Sequence, residues 1–311
     1  MIYYNGQVIN PEKFRIPSYN ISPFSTGQLS LLNNILHFEN KNDDFEAVNR
    51  KFGHHEFTLS GKNAIAIAMS FYNLNCNDEV CIITTTGNEY ISSCVTNEIE
   101  KCCRWKREIS EHTKLIFVIH EFGIVYPNME DLIELNIPIV EDLSMSLFST
   151  NEIGRIGKYG DFTTYSLPKF FPVQYGGVLS YNNNKFLKNR IINNSKPFQI
   201  DLKKITSFFL SQEKEIIQKR KENYKYFEKL FNDLGIKSRI TFTNKETPSV
   251  FMFTSEDLNL SGLKIFMQKN GVECSKFYGE NSFFLPVHQN LSQFDMNYIV
   301  NLIKYFIYEN K

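Results

Sequence analysis

The chain has 311 residues, of which 42% are hydrophobic and 14% aromatic, enough apolar side chains to fill one large core or two smaller ones. Its 34 Lys and Arg residues balance its 34 Asp and Glu residues, which excludes an extended basic surface for nucleic acid or anionic membranes. No stretch approaches the ~18 apolar residues of a membrane span and the start has no signal-peptide pattern, so we expect a cytoplasmic protein.

The six cysteines indicate reduced thiols rather than a disulfide framework or a metal centre. None of them forms a CxxC motif, and no histidine joins them at ligand spacing. Six cysteines are ordinary usage for an intracellular chain of this length. We therefore expect no metal ion.

The first third of the chain predicts an entry segment, residues 1–50, followed by a strand, a tight turn and a helix. Helical spacing of apolar residues marks 27–37 and 45–52, and the turn is Ser60-Gly61, before an Ala-rich helix. A glycine turn that opens a helix points free N–H groups and the positive end of the helix dipole at one spot, which suits a phosphate. The same residues are also typical of a simple helix cap.

Alternating strands and helices follow. Short apolar runs predict strands at 80–83, 114–119 and 138–142, a helix covers 128–135, and residues 91–103 fit a helix or a helix plus a strand. This rhythm predicts an α/β fold with a mainly parallel sheet, in which ligands bind beyond the carboxyl ends of the strands. His120 and Asp142 lie at two such ends.

The stretch from Tyr165 to Val178 carries one lysine, Lys169, among apolar and aromatic residues, with a pair of glycines after it. Such surroundings are expected to desolvate the amine, which would lower its pKa and make it nucleophilic. With Asp142 at the end of a nearby strand to neutralise a cationic ring, the pattern predicts a carbonyl cofactor held as a Schiff base, pyridoxal phosphate (PLP) being the obvious candidate. The alternative is a loop lysine that extends past aromatic side chains to solvent.

The last third predicts a long helix over about 201–234, then strand, helix, strand and a closing helix at 295–309. We interpret this as a helical spine with a smaller C-terminal α+β domain. The predicted division is an entry segment at 1–50, a large α/β domain at 51–195, and the spine helix with the small domain at 196–311.

The order of these motifs resembles that of the DegT/StrS-type nucleotide-sugar aminotransferases. The matching segments extend over nearly the whole chain; they are Phe45-Glu-Ala-Val-Asn-Arg-Lys-Phe, Ser60-Gly61, Asn77-Asp-Glu-Val, Val118-Ile-His-Glu-Phe-Gly123, Ile137-Pro-Ile-Val-Glu-Asp142, Gly160-Asp-Phe-Thr-Thr-Tyr-Ser166, Lys169, Gly176-Gly177 and Leu285-Pro-Val-His. The resemblance implies a three-layer α/β/α arrangement with a mainly parallel, mixed sheet, which is fold type I of the PLP enzymes. It also implies a homodimer.

The resemblance also implies roles for single residues. Lys169 matches the Schiff-base lysine, Asp142 the acid paired with the pyridine nitrogen, and Ser166 a phosphate contact. Gly61 and the following residue, Lys62, match the main-chain turn that receives the phosphate. Asp142 would keep the ring nitrogen protonated, and the freed amine of Lys169 would move protons as general acid and base.

Several positions depart from the family pattern. Lys62 stands where threonine is usual, and Met145 where glutamine or histidine is usual. Tyr90 is the candidate for the aromatic side chain that stacks on the cofactor ring, and His120 is a further candidate because its strand end is expected to face the pocket. The segment 182–200 is shorter than in the family, where it reaches the partner's site.

Three functions remain open from the sequence. The leading one is transfer of an amino group from an amino acid such as glutamate to a keto-sugar, with the sugar linked to a nucleotide, in surface-polysaccharide biosynthesis. The second keeps PLP but acts by decarboxylation, dehydration or transfer on a small non-nucleotide substrate. The third is a catalytically silent scaffolding subunit, against which the presence of both Lys169 and Asp142 argues, since a buried unpaired charge is costly.

Overall fold

The computed structural model describes residues 19–37, 45–189 and 195–309. Parts of the predicted entry segment (1–18 and 38–44) and of the short predicted loop 182–200 (190–194) lie outside the described residues. Within the described ranges, no helix is both long enough and apolar enough to cross a membrane.

A seven-stranded mixed sheet forms the larger part of the molecule, with strand order β1-β7-β6-β5-β4-β2-β3. Five neighbouring strands run parallel, while β7 is antiparallel to both β6 and β1. The strands are β1 (His55–Thr58), β2 (Glu79–Thr84), β3 (Arg104–Lys106), β4 (Thr113–Ile119), β5 (Ile139–Asp142), β6 (Phe162–Ser166) and β7 (Gly177–Tyr181). The central strands are apolar because both of their faces are covered.

Helices cover both faces of this sheet. One face packs against α3 (Gly61–Ser70) and α4 (Ser93–Ile99), and its core includes Val140 and Phe162. The other face packs against α2 (Glu46–Phe52), α5 (Met129–Glu134) and α6 (Lys196–Ser211), with α1 (Leu29–His37) partly buried beside them. The three-layer α/β/α prediction with a mainly parallel sheet is confirmed.

A second, three-stranded antiparallel sheet occupies the C-terminal part, in the order β8-β10-β9. Its strands are β8 (Val250–Thr254), β9 (Ser275–Phe277) and β10 (Ser282–Pro286), and its helices are α7 (Glu213–Asn232), α8 (Leu260–Lys269) and α9 (Gln293–Glu309). Phenylalanines from α7 and the strands fill the core between them. The predicted smaller α+β unit is therefore present, while the exact domain boundaries stay a prediction.

The long helix predicted over 201–234 is two helices that meet at Gln212, whose backbone (φ −100°, ψ 12°) is not helical. The core under the large sheet contains Leu202 and Phe209 of α6 and also Ile216 in the first turn of α7. Phe227 and Phe231, further along α7, pack in the core of the small sheet. Neither glycine nor proline marks the break, so the apolar spacing alone predicted one continuous helix.

Two smaller expectations are refined. The segment 91–103 forms α4, and β3 follows it at the sheet edge. Asn128 occupies the N-cap position of α5 as predicted, but its side chain makes no capping hydrogen bond.

Candidate functional site

The carboxyl ends of β5 and β6 bring several polar side chains to one edge of the large sheet. In the parallel register, Asp142 lies opposite Ile119 of β4 and Thr164 of β6. Because side chains alternate along a strand, Asp142 shares the face of Val140, which is the face covered by α3. The N-terminus of α3 therefore lies on the same face as the carboxylate.

Asp142 is almost completely buried, and its side-chain hydrogen bonds within the described residues all converge on one oxygen. Oδ1 accepts from the Ser144 main-chain N–H at 3.0 Å, the Ser144 hydroxyl at 2.6 Å and the Thr164 hydroxyl at 2.9 Å. Burial raises the pKa of the Asp142 carboxyl above its usual range, and these hydrogen bonds oppose that rise. Within the described part of the chain, no hydrogen bond reaches Oδ2, which leaves this oxygen as an acceptor for a ligand.

The first turn of α3 offers main-chain donors beside this carboxylate. Ser60 is the N-cap: its Oγ accepts from the Asn63 N–H, and its carbonyl accepts from the Ala64 N–H. The N–H groups of Gly61 and Lys62 make no hydrogen bond in the described ranges, as expected for the start of a helix. This turn can therefore direct two N–H groups and the helix dipole at an anion.

Gly61 packs so closely against its neighbours that it brings the turn and the strand ends together. A Cβ at this position would lie 3.1 Å from both Ser144 Oγ and Ser166 Cβ. Behind it, a Cβ at Gly177 would lie 2.4 Å from the carbonyl carbon of Ser60. The glycines of the predicted motifs thus permit the close approach of α3 to β6 and β7.

Lys169 ends a 3₁₀ turn, Leu167–Lys169, in the short connection between β6 and antiparallel β7. The residue is half-buried, and no ion pair or side-chain hydrogen bond of its amine occurs within the described residues. The next two residues, Phe170 and Phe171, are completely buried in the core, and the Lys169 carbonyl accepts from Nη2 of Arg220 at 2.8 Å. The main chain at the lysine is therefore well anchored, while the amine has no partner in the described protein.

The ammonium group of Lys62 forms an ion pair and is therefore not free at the phosphate turn. Its Nζ lies 3.3 Å from Oε1 of Glu98 on α4, and Lys101 approaches the other oxygen of the same carboxylate at 2.6 Å. Only the main-chain N–H of Lys62 remains for the anion. The side-chain charge that Lys62 brings in place of the family's threonine is engaged in this ion pair.

The geometry of His120 differs from the expectation that it faces the pocket. Ile119 is the residue paired with Asp142, so His120, one position later, projects from the opposite face of the sheet. Its Nδ1 accepts from the Tyr126 N–H at 2.9 Å, and its Nε2 lies 3.4 Å from Oε2 of buried Glu141. Both ring nitrogens are occupied within the fold, and we therefore omit His120 from the proposed ligand contacts.

Tyr90 lies in the loop between β2 and α4, close to the C-terminal sheet. Its ring is 44% exposed and stands 5.2 Å, centroid to centroid, from the ring of Tyr278. Asn88 fixes this loop by accepting from the Tyr90 N–H at 2.8 Å and donating to the Tyr278 carbonyl at 2.9 Å. An exposed aromatic side chain is available here, and nothing in the sequence indicated that Tyr278 adjoins it.

Met145 replaces a polar residue of the family pattern with an apolar contact. It packs at the edge of the hydrophobic cluster that contains Phe122 and Phe277. Instead, the neighbouring Ser144 and the strand residue Thr164 supply the hydroxyl groups near Asp142. Both were missed in the sequence; the spacing Asp-x-Ser, typical of a turn in which a carboxylate accepts from the residue two positions on, is the signal for Ser144.

Comparison with known proteins decides the family. A family model described as "Putative PLP-dependent aminotransferase" matches residues 44–208, a little over half of the 311 residues. The chain belongs to this family. The predicted resemblance to PLP-dependent aminotransferases is thus confirmed, and the silent scaffolding alternative is set aside. No curated protein matches the sequence of this aminotransferase.

Solved structures share the fold of this aminotransferase over nearly its whole length. The aminotransferase TlmJ from Streptoalloteichus hindustanus has a TM-score of 0.76 and 15% identity, covering 94% of this chain and 99% of that chain. The PLP form of "Putative sugar aminotransferase Spr1654" from Streptococcus pneumoniae has a TM-score of 0.70 and 16% identity, covering 94% and 98%. A DegT DnrJ EryC1 StrS aminotransferase from Brucella abortus has a TM-score of 0.68 and 12% identity, covering 90% and 96%.

The residues at the sheet edge of this aminotransferase fit the cofactor of its family. A phosphate needs main-chain donors, a hydroxyl and space, which Gly61, Lys62 and Ser166 offer at the start of α3. A pyridine nitrogen needs a buried carboxylate oxygen, and Oδ2 of Asp142 has no other partner among the described residues. The donor set therefore suits pyridoxal phosphate.

Proposed function

We propose that PLP binds at this edge of the large sheet, with Lys169 as its covalent attachment point. Asp142 would hold the pyridine nitrogen, and the N–H groups of Gly61 and Lys62, together with Ser166, would hold the phosphate. The observation that carries the proposal is the convergence of Ser144 and Ser166 on Gly61, where a Cβ would lie 3.1 Å from each of them, with Asp142 bonded to the same Ser144. Tyr90 is proposed to stack on the ring through its exposed face.

Each polar group at the proposed site has its own role in the reaction. When bound, PLP serves as an electron sink for the substrate carbon. Asp142, ionised next to the protonated ring nitrogen, stabilises that proton, since an opposite charge nearby offsets the effect of burial on its pKa. Ser144 and Thr164 hold Oδ1 and so turn Oδ2 towards the ring. The amine of Lys169, when free, would move a proton to or from the substrate carbon as general acid and base.

We infer that the amino donor is an amino acid, with glutamate as the first choice, and that the acceptor is a keto-sugar linked to a nucleotide, in surface-polysaccharide biosynthesis. Support for a sugar comes from the structural likeness to Spr1654, whose description names it a sugar aminotransferase. The alternative of a small non-nucleotide acceptor would be favoured by a free cation at Lys62, in place of the family's threonine, but Lys62 pairs with Glu98.

A homodimer is part of the proposal. Leu59, next to the phosphate turn, is exposed, as are Tyr175 in the Lys169 connection and Ile200 on α6. A second copy of the chain placed against these three side chains would shield apolar surface beside the proposed site. Sedimentation or light scattering of the purified protein checks this, and a monomer at micromolar concentration would contradict it.

We also propose a cytoplasmic location. All six cysteines are free thiols in the structure, three of them buried and three at least partly exposed. Free thiols are typical of a reducing compartment.

The decisive experiment is an absorbance scan of the purified protein with added PLP, followed by borohydride reduction and peptide mass analysis. We expect a visible to near-ultraviolet band in the wild type and a PLP adduct fixed on Lys169. Lys169→Ala should lack both, whereas Lys158→Ala, which removes an exposed lysine, should keep them. An adduct on another lysine, or equal adduct formation in Lys169→Ala, would reject the assignment. Formation of 2-oxoglutarate from glutamate then tests the donor.

A further inference from the structure

Arg220, on α7, is completely buried, yet no carboxylate pairs with it among the described residues. Its guanidinium instead donates to three uncharged acceptors. Nε donates to Oε1 of Gln289 at 2.9 Å, Nη1 to the Pro248 carbonyl at 3.2 Å, and Nη2 to the Lys169 carbonyl at 2.8 Å. All three donors thus link α7 to other segments of the chain.

Burial of the Arg220 guanidinium without a counter-ion costs free energy. Taking a cation out of water without a counter-ion is unfavourable, and burial lowers the pKa of Arg220 to about 9, which still leaves it charged at neutral pH. Part of the cost is offset by the Phe170 ring, whose centroid lies 4.4 Å from the guanidinium carbon. An apolar residue would fill this position at lower cost, so the charge calls for a reason beyond packing.

The acceptors of Arg220 and Gln289 suggest that reason. Nε2 of Gln289 donates to the Phe170 carbonyl at 2.8 Å, so the carbonyls of two successive residues, Lys169 and Phe170, are each held by one side chain of this pair. In the described chain no main-chain N–H reaches either carbonyl; the turn's own hydrogen bonds, from Phe170 and Phe171, end on Leu167. The lysine turn is therefore fixed from the C-terminal half of the molecule.

Gln289 is itself held in place. Asn223, one turn after Arg220 on α7, donates to the carbonyls of His288 and Leu291 at 2.8 and 3.2 Å. These bonds secure the segment after β10 against α7 on both sides of Gln289. Both side chains that hold the lysine turn thus rest on the same helix.

We propose that Arg220 and Gln289 are positioning residues that hold the main chain of Lys169 and Phe170 so that the lysine amine is presented to the cofactor carbonyl. This inference rests on the proposed function of Lys169. Neither residue need touch the cofactor. Their effect is on the covalent link to Lys169, whereas retention of the cofactor through its phosphate depends on Gly61 and Ser166.

The variant Arg220→Met keeps side-chain length without the charge. In this variant, the covalent link to Lys169 and the total retention of PLP are measured separately. After gel filtration, PLP released by denaturation gives the total retained, and borohydride reduction with peptide mass analysis gives the fraction linked to Lys169. Loss of a hydrogen bond from a charged donor is expected to lower the linked fraction about tenfold, or the rate of linkage if the fraction saturates, with total PLP changed by less than about twofold. Lys219→Met, which removes the neighbouring, partly exposed lysine, should match the wild type.

A linked fraction and linkage rate equal to those of the wild type would overturn the inference. Parallel loss of linked and total PLP would also overturn it, because such a loss indicates only a structural role. If Arg220→Met does not fold, Gln289→Met takes its place: a lower linked fraction with retained PLP supports the inference, and wild-type linkage overturns it. If the wild type itself forms no adduct on Lys169, the proposed function fails first, and the inference with it.

Discussion

Ser144 donates its hydroxyl hydrogen to Oδ1 of Asp142 across 2.6 Å, and its main-chain N–H reaches the same oxygen at 3.0 Å. The Ser144 hydroxyl oxygen also lies 3.1 Å from the position that a Cβ on Gly61 would take. One side chain therefore bonds to the carboxylate and lies beside the helix N-terminus of the proposed cofactor site. Removal of the Ser144 side chain should therefore affect both the Asp142 carboxylate and the phosphate turn.

Ser144→Ala should weaken PLP retention about tenfold, because a hydrogen bond to a charged acceptor is lost. The same change removes an effect that lowers the pKa of Asp142, so the carboxylate becomes protonated at higher pH and cofactor loss on acidification begins at higher pH. Titration of the apo-protein with PLP at several pH values measures both effects. Ser70→Ala, at an exposed position at the end of α3, is the control; unchanged affinity and pH profile in Ser144→Ala would contradict the prediction.

Asp142→Asn should stabilise the apo-protein at neutral pH while abolishing most PLP retention. Burial raises the pKa of the Asp142 carboxyl in the folded state, so folding favours its protonated form. That contribution is fully present below the unfolded pKa of about 3.9 and is lost as the pH rises through the folded pKa. The variant should therefore have the higher melting temperature near pH 7, and the difference should vanish at acidic pH. A lower melting temperature at pH 7 would show that the ionised carboxylate is stabilising without the cofactor.

Gly177→Ala should destabilise the protein by about 1–3 kcal/mol, because its Cβ would lie 2.4 Å from the Ser60 carbonyl carbon and the main chain must move. PLP retention should fall with it, since Ser60 precedes the phosphate turn. Gly27→Ala is a matched control, as a Cβ there would meet only Ser25 Oγ, at 3.6 Å. Urea unfolding of the apo-proteins measures the difference. Equal stability of the two variants would mean that β7 can shift away from Ser60 without loss.

Lys62→Met should change PLP affinity by less than about twofold, because its ammonium group lies against Glu98 and a partly exposed ion pair contributes little. Its effect on stability should stay within about 1 kcal/mol, since Lys101 still pairs with the same carboxylate. Cofactor titration and urea unfolding provide the two readouts. A tenfold loss of affinity would instead place the Lys62 charge on the phosphate.

The sequence was informative where the chemistry depends on local order along the chain. Asp142 ends a short apolar strand and Ser60-Gly61 opens an Ala-rich helix, so parallel-sheet geometry was enough to predict that Asp142 and Gly61 meet at one edge. Thr164 escaped notice because strand β6 is short and rich in threonine, with no apolar run to mark it.

The remaining features depend on long-range contacts. The orientation of His120 is decided by the register of β4 against β5, because a shift of one residue changes the face from which a side chain projects. Likewise, the position of Arg220 within a highly charged helix gives no hint that, of the charged residues of α7, this one is buried. Periodicity does not reveal the break between α6 and α7 at Gln212 either, because apolar side chains on both sides of it, Phe209 and Ile216, pack in the same core.

The pairing of β1 with β7 has a consequence for biosynthesis. These neighbours in the sheet are about 125 residues apart in the chain, and the turn after β1 is held by Gly177 of β7. On the ribosome, Ser60 and Gly61 emerge long before their partner strand exists. The proposed phosphate cradle can therefore assemble only after β7 has been translated, so a nascent chain halted before that point should be unable to capture the cofactor.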